Sequence, residues 1–288
     1  MERGVGTPAS IEENPQTPRA GLSQRRITEY VLRIADQAGY RAALIDAADG
    51  TVTPWPRFAQ TVRAAARGLR RRGLTPDDTV GVLVRDAARH AVAVHTIREA
   101  GATPVPIRLE PGADHTADIA VQLKACGARL IITVDELAEL ASQAADRSWV
   151  RQVLAFGETA EATGATPFSS LLEVARHGPA AGNGADATSL RSAELTPADA
   201  LELAAIDYPG GLSARLTERD VVVAGPPGGS GPAYTALLDF ALMSGSTVVA
   251  TSAEDIASAV RHYCGTAAIV SRGVDVPVIP AARVFLVD

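Results

Sequence analysis

Two glycine-containing stretches hold the residue types that can cradle an anion. The first is AAIDYPGGLSARLTERD, Ala204 to Asp220, in which an apolar run meets a Gly210-Gly211 bend and then a Leu-Thr pair. The second is GPPGGSGPAY, Gly225 to Tyr234, which lies between an apolar strand pattern and an apolar helix pattern. A phosphate cradle needs successive backbone N–H groups, which glycine makes accessible, together with Ser or Thr hydroxyls and a cation. Both stretches fall short. In the first, Asp207 brings a negative charge and Pro209 removes a donor. In the second, Pro226, Pro227 and Pro232 remove donors, and neither a Walker ending nor a G-x-G-x-x-G spacing is present. Lys124 is the only lysine of the chain, far upstream of both.

Other reactive types are better explained by structure. His90 and His95 stand five apart in one helical pattern, whereas a metal pair needs i and i+4, so both are expected to be partly exposed helix residues. His262, Tyr263 and Cys264 are adjacent and point in different directions on a helix, which does not make a nucleophile and its base. Arg70, Arg71 and Arg72 close a helix, where cations complement its dipole. Asp77 and Asp78 sit in a turn. Cys126 and Cys264 follow no ligand spacing and are expected to be buried free thiols of a reducing compartment.

The elements that must carry these residues alternate strand and helix. The chain has 288 residues, 47% apolar and 21% charged, with a net charge of −6. That suits a folded core and gives no basic field for nucleic acid or anionic lipid. No run approaches a membrane span, so a cytoplasmic protein is expected. Residues 1–26 read as a disordered tail, 27–178 as a first α/β unit, 179–198 as a linker, and 199–288 as a second α/β unit. Helices are expected over 53–73, 88–101, 116–127, over DELAELASQAA with Asp135 as its cap, over FSSLLEVARHG, and over 233–245 and 253–265. Strands are expected at 42–46, 79–84, 103–107, 128–134, 150–156, 200–206, 219–225, 246–251, 267–271 and 282–288. Such alternation predicts an α/β fold with two mostly parallel sheets flanked by helices. The prolines of TPVPI point to a sheet edge or an end for that strand.

Several segments resemble the adenylate-forming superfamily of acyl-CoA synthetases, adenylation domains and luciferases. LRRRGL leads through TPDDTVGVLV, a second helix ends REAGATPVPI, and a third ends ACGARLIIT. FALMSGSTVVATSAEDIASAVRHYCGTAAIVS is similar to the strand and helix-strand unit farther along that family. The similarity runs from Ile27 to Asp288 and corresponds to the first half of a full-length member. It implies the large N-terminal domain of such an enzyme. RLTERD stands where the family has the segment after its phosphate loop, which lays the loop over Ala204–Ser213. The resemblance therefore makes Asp207, Tyr208, Gly210, Gly211, Ser213 and Thr217 a vestigial phosphate loop. It makes Gly228, Gly229, Ser230 and Tyr234 a pocket wall for an acyl or aryl group. No residue is assigned a catalytic or metal-binding role. The family's aromatic-Gly-x-Thr-Glu segment, ribose-binding Asp and C-terminal Lys have no counterpart in the chain.

The resulting expectation is a degenerate relative of AMP-binding ligases that does not adenylate alone and serves as a binding or regulatory module. Alternatives are a subunit of a split acid–CoA ligase and a small acyl- or aryl-binding protein. No cofactor is expected, with ATP, AMP and Mg entering only if a partner completes the site. The final apolar strands predict a fold cut short and a homodimer or protein partner through residues 253–288.

Overall fold

The computed structural model describes residues 17–109, 114–158, 163–173, 216–227, 232–271 and 283–287. The chain runs α1 (Thr17–Gln37), β1 (Ala42–Asp46), β2 (Val52–Pro54), α2 (Trp55–Arg71), β3 (Thr79–Leu83), α3 (Ala87–Ala100), β4 (Thr103–Pro106) and α4 (His115–Ala125). It continues with β5 (Leu130–Val134), α5 (Asp135–Asp146), β6 (Gln152–Phe156), β7 (Thr166–Pro167) and β8 (Val221–Ala224). Then come α6 (Pro232–Met243), β9 (Thr247–Ala250), α7 (Ile256–His262), β10 (Ala267–Ser271) and β11 (Arg283–Val287).

The fold is α/β with two mostly parallel sheets. One sheet has the order β4-β3-β5-β6-β7, with every described pairing parallel. The other has the order β11-β10-β8-β9-β1-β2, parallel except for the β1–β2 hairpin. β4, with its two prolines, lies at an edge as expected, where a missing N–H leaves no ladder bond unmade.

Alternate residues of each strand feed opposite cores, the period-2 consequence of the pleat. Val222, Ala224, Val248 and Ile269 join one core with Trp55, Phe58 and Leu238. Val223, Val249, Ala268 and Val270 face α7 on the other side. In the second sheet, Val80, Val82, Leu130 and Ile132 face Leu69 and Ile97. Leu83, Ile131 and Ala155 face α4 and α5. α2 and α3 each contribute to both inner cores. Phe58 and Val62 pack toward the six-stranded sheet and Ala65 and Leu69 toward the five-stranded one. The layers are thus α7, six-stranded sheet, α1 with α2, α3 and α6, five-stranded sheet, and α4 with α5.

Several local expectations are corrected. α1 starts at Thr17, inside the stretch read as a disordered tail, because Ile27, Val31 and Ala35 form a buried i, i+4 stripe that anchors it. Residues 42–54 read with the first unit, yet β1 pairs with β9 in the sheet built from residues 221–287. The N-cap of α5 is Val134, with Asp135 already helical. The described part of FSSLLEVARHG, residues 168–173, forms a 3₁₀ turn over Phe168–Leu171 in place of α-helix, and the rest of that stretch lies outside the described residues. That turn packs directly on α2, where a Cβ at Gly68 would lie 2.4 Å from the Leu171 carbonyl oxygen. Residues 200–206 and the 179–198 linker lie outside the described residues.

Candidate functional site

In an open parallel sheet a ligand cleft forms at the carboxyl ends of the strands, where successive connections leave in opposite directions. Here β8 connects through α6 to β9 on one side, and β9 connects through α7 back to β10 on the other. The switch point therefore lies between β8 and β10, below the loop that opens GPPGGSGPAY.

The described part of that loop is tied down from several sides. The Gly225 N–H donates to the Ile269 carbonyl at 3.0 Å. Ser271 Oγ donates to the Pro226 carbonyl at 3.1 Å. Tyr234 Oη donates to the Gly225 carbonyl at 2.6 Å. The Tyr234 ring is buried and stands edge-on to His90, with centroids 5.7 Å apart. Burial, reinforced by the nearby Asp86 carboxylate, pushes its phenol well above the usual tyrosine range. Tyr234 therefore props the described part of the loop from beneath. Gly228, Gly229 and Ser230 lie outside the described residues.

The same edge carries acidic groups. Asp46 ends β1, and Asp86 caps α3 by accepting from the Arg89 N–H at 2.6 Å. Burial raises the Asp86 carboxyl, outweighing that bond and the Arg89 charge, and Asp46 adds to the rise. The Arg89 guanidinium lies 3.7 Å from Asp46 and 3.4 Å from Asp86, so its charge is shared between two carboxylates.

Of the vestigial phosphate loop, Asp207, Tyr208, Gly210, Gly211 and Ser213 lie outside the described residues. Thr217 has a clear structural task. Its N–H and hydroxyl both donate to Asp220 Oδ2, at 2.6 and 2.9 Å. Thr75 does the same to Asp78 Oδ2, at 2.7 and 2.8 Å. In each case the aspartate carbonyl then accepts from the first residue of a neighbouring strand, Thr247 or Thr103. TERD and TPDD are thus one turn used twice, once at the foot of each sheet. Asp220 also accepts from Thr266 Oγ1 and Arg283, each at 2.7 Å.

The histidine expectation is overturned. His90 and His95 are buried, at 2% and 1% exposure, because α3 lies between two sheets and has almost no solvent face. His90 Nε2 is 3.0 Å from Thr235 Oγ1, and His95 Nδ1 is 2.9 Å from Thr28 Oγ1. His95 Nε2 lies 3.5 Å from Asp239, which also pairs with Arg98 at 2.8 Å. This network was missed by sequence reasoning. The signal was available in ALLDFALM, where an aspartate interrupts a helix that is otherwise apolar all round.

The arginine run does more than face a helix dipole. Arg70 bonds the Glu99 and Ala100 carbonyls, Arg71 those of Leu171 and Glu173, and Arg72 the Ser170 hydroxyl. The cysteines are free but not buried as expected: Cys126 is half-buried and Cys264 exposed. Cys264 follows the end of α7 in a left-handed turn, φ 55°, outside the packed face of that helix. Among the described residues no group of three His, Cys, Asp or Glu side chains is placed to hold a metal. Among the same residues no helix is long and apolar enough to cross a membrane.

The sequence profile of the AMP-binding enzyme family matches residues 32–211. No curated protein matches by sequence. Solved structures share the fold. A benzoate CoA ligase from Burkholderia xenovorans superposes with TM-score 0.63 at 20% identity, over 90% of this chain and 54% of its own. MbtA from Mycobacterium smegmatis gives 0.63 at 21%, over 90% and 52%. A long-chain-fatty-acid–CoA ligase from Archaeoglobus fulgidus gives 0.62 at 16%, over 85% and 51%. The chain thus spans about half the length of these structures. With more than half of its residues matched by the profile, and a layered fold that these structures share, the chain belongs to the AMP-binding enzyme family.

Proposed function

We propose that this 288-residue chain does not adenylate a carboxylate by itself and acts as a binding or regulatory module on an AMP-binding scaffold. The observation that carries this reading is the charge at the carboxyl edge. Asp46 and Asp86 flank it, and Arg89 is engaged by both. Adenylation needs donors and cations on the developing charge of the α-phosphate. Among the described residues the Thr217 hydroxyl is committed to Asp220 and the Tyr234 hydroxyl to Gly225, which supports a reading with no phosphate on either. The stretch over 204–213 adds Asp207 and Pro209, and the only lysine, Lys124, lies on α4 against the other sheet. Two free cysteines suit a reducing, cytoplasmic setting. The purified chain is expected to give no carboxylate-dependent pyrophosphate–ATP exchange with a broad panel of acids. It should also show no micromolar ATP binding by calorimetry, about −8 kcal/mol. Robust exchange, lost on altering residues 207–211, overturns the reading.

A second reading is a subunit completed by another polypeptide that brings the nucleotide-binding groups, with ATP and Mg binding only in the complex. It is favoured by β11, whose Val284 and Leu286 are 42% and 48% exposed while Phe285 between them is buried. Large apolar side chains left in water favour association. Light scattering tests it: a stable monomer at tens of micromolar, unchanged by Val284→Asp or Leu286→Asp, rejects a partner or second copy on residues 253–288.

A further inference from the structure

The amino ends of β5 and β6 frame a second feature, on the strand ends opposite to the acidic edge. A shallow cleft of about 560 Å³ is lined by Gly127, Arg129, Ser148, Trp149, Val150 and Arg151. Trp149 is 62% exposed, whereas Trp55, the only other tryptophan, is fully buried. The loop that presents Trp149 is fixed. Ser148 Oγ donates to the Ala145 carbonyl at 3.1 Å and accepts from the Val150 N–H at 3.3 Å. The Arg151 N–H donates to the Arg129 carbonyl at 2.8 Å. Val150 packs into the core beneath α5, which turns its neighbours Trp149 and Arg151 outward.

Arg129, Arg147 and Arg151 are exposed, and none forms an ion pair among the described residues. Asp146 is the acidic neighbour in sequence. The dipole of α5 accounts for an arginine at position 147. It does not account for an exposed indole that lines one cleft with two further arginines. Tryptophan and arginine are the side chains that contribute most at protein interfaces, and guanidinium forks match carboxylates.

We propose that this cleft docks a short acidic segment of another protein, with an apolar side chain of the segment on Trp149 and its carboxylates on Arg129 and Arg151. Charge complementarity is local: two cations, Arg129 and Arg151, line one cleft on a chain of net charge −6. A nucleic acid fits this face less well, because its long phosphate track meets the acidic remainder of the surface and needs a broader basic stripe.

The test uses the full chain and a short blocked peptide of alternating Glu and Leu, against a peptide with Gln in place of Glu. Trp149 reports binding, since Trp55 is shielded in the core and Trp149→Phe should abolish the signal. The acidic peptide is expected to shift the emission to shorter wavelength. Its affinity should fall about tenfold or more in Arg129→Glu or Arg151→Glu and weaken steadily with salt. Arg129→Gln and Arg151→Gln should give intermediate losses, with far-UV circular dichroism confirming the fold in each case. Four outcomes overturn the proposal: no response, an equal response to the Gln peptide, a response to an RNA oligomer or anionic vesicles but not to the acidic peptide, and self-association that Arg129→Glu abolishes.

Discussion

Arg98 donates from one guanidinium nitrogen to both carboxylate oxygens of Asp239, at 2.9 and 2.8 Å, in the helix layer between the two sheets. Both side chains are almost fully buried, and the pair joins α3 to α6. Removing one partner leaves a charge stranded in the core, at a cost of about 3–5 kcal/mol. Asp239→Ala should show this loss in urea unfolding followed by circular dichroism. The double change Arg98→Met with Asp239→Leu should recover most of it, since an apolar pair has no desolvation cost to offset. A single substitution costing less than about 1 kcal/mol would contradict the burial of the pair.

The histidines beside this pair make stability depend on pH. Burial lowers His90 to about 4, against the opposing pull of Asp239, and burial with the Arg98 charge lowers His95 well below the usual range too. In the unfolded chain both titrate near the usual 6.5. Between about 4 and 6.5 the unfolded state binds more protons, so stability is complete above that window and falls as pH drops through it. For His90 alone the loss reaches about 3 kcal/mol. Asp239 works the other way, because burial raises its carboxyl despite the Arg98 charge, and protonation then favours the folded state. Denaturant midpoints from neutral pH to about 4 should decline, and His90→Gln should flatten the slope. A midpoint that holds constant over this range would argue against neutral buried imidazoles.

Asp220 fastens the edge strand. Burial raises its carboxyl, but the bonds from Thr266 and Thr217, with the Arg283 charge, prevail and hold it below the usual range. Its oxygens join the turn before β8 to the starts of β10 and β11. Asp220→Ala should cost about 1–3 kcal/mol through the donors left unpaired. Hydrogen exchange should speed up first in β11, where Arg283 loses its anchor. Unchanged protection there would show that the β10–β11 ladder needs no clamp.

At Gly68 two effects oppose each other. Alanine in mid-helix is favourable by about 1 kcal/mol. A Cβ at Gly68, however, would meet the Leu171 carbonyl oxygen at 2.4 Å and the Leu171 Cα at 2.8 Å, both backbone atoms that cannot rotate away. Gly68→Ala should therefore lose about 1–3 kcal/mol, the usual cost of overpacking. Calorimetric melting of the variant would reveal a net gain if the 168–171 turn can retreat.

The alternation of apolar strands and amphipathic helices was enough, without structure, to define an α/β fold with parallel sheets, and the family resemblance made them two. Period is a local property: Phe58, Val62, Ala65 and Leu69 announce a helix wherever it packs. Gly73 and Gly101 likewise end their helices in the left-handed conformation that L-residues avoid. The prolines of TPVPI limited β4 to an edge or an end, because a missing N–H is a fact of the residue itself, and the edge is where it lies. Which sheet a strand joins is not local. The β1–β2 hairpin precedes α2 in the chain, yet hydrogen-bonds to β9 some two hundred residues later. Nor does a helix pattern say how many faces are covered. His90 and His95 read as surface residues on a single-sided helix, and only the packing of α3 between two sheets buried them beside Arg98 and Asp239. The same limit held for Thr217, whose type suits a phosphate loop. Its partner, Asp220, is three residues away in sequence, but its task as the foot of a sheet became visible only when Thr247, Thr266 and Arg283 converged on that turn. Long-range pairing decided these matters, and no sequence window contains both of its partners.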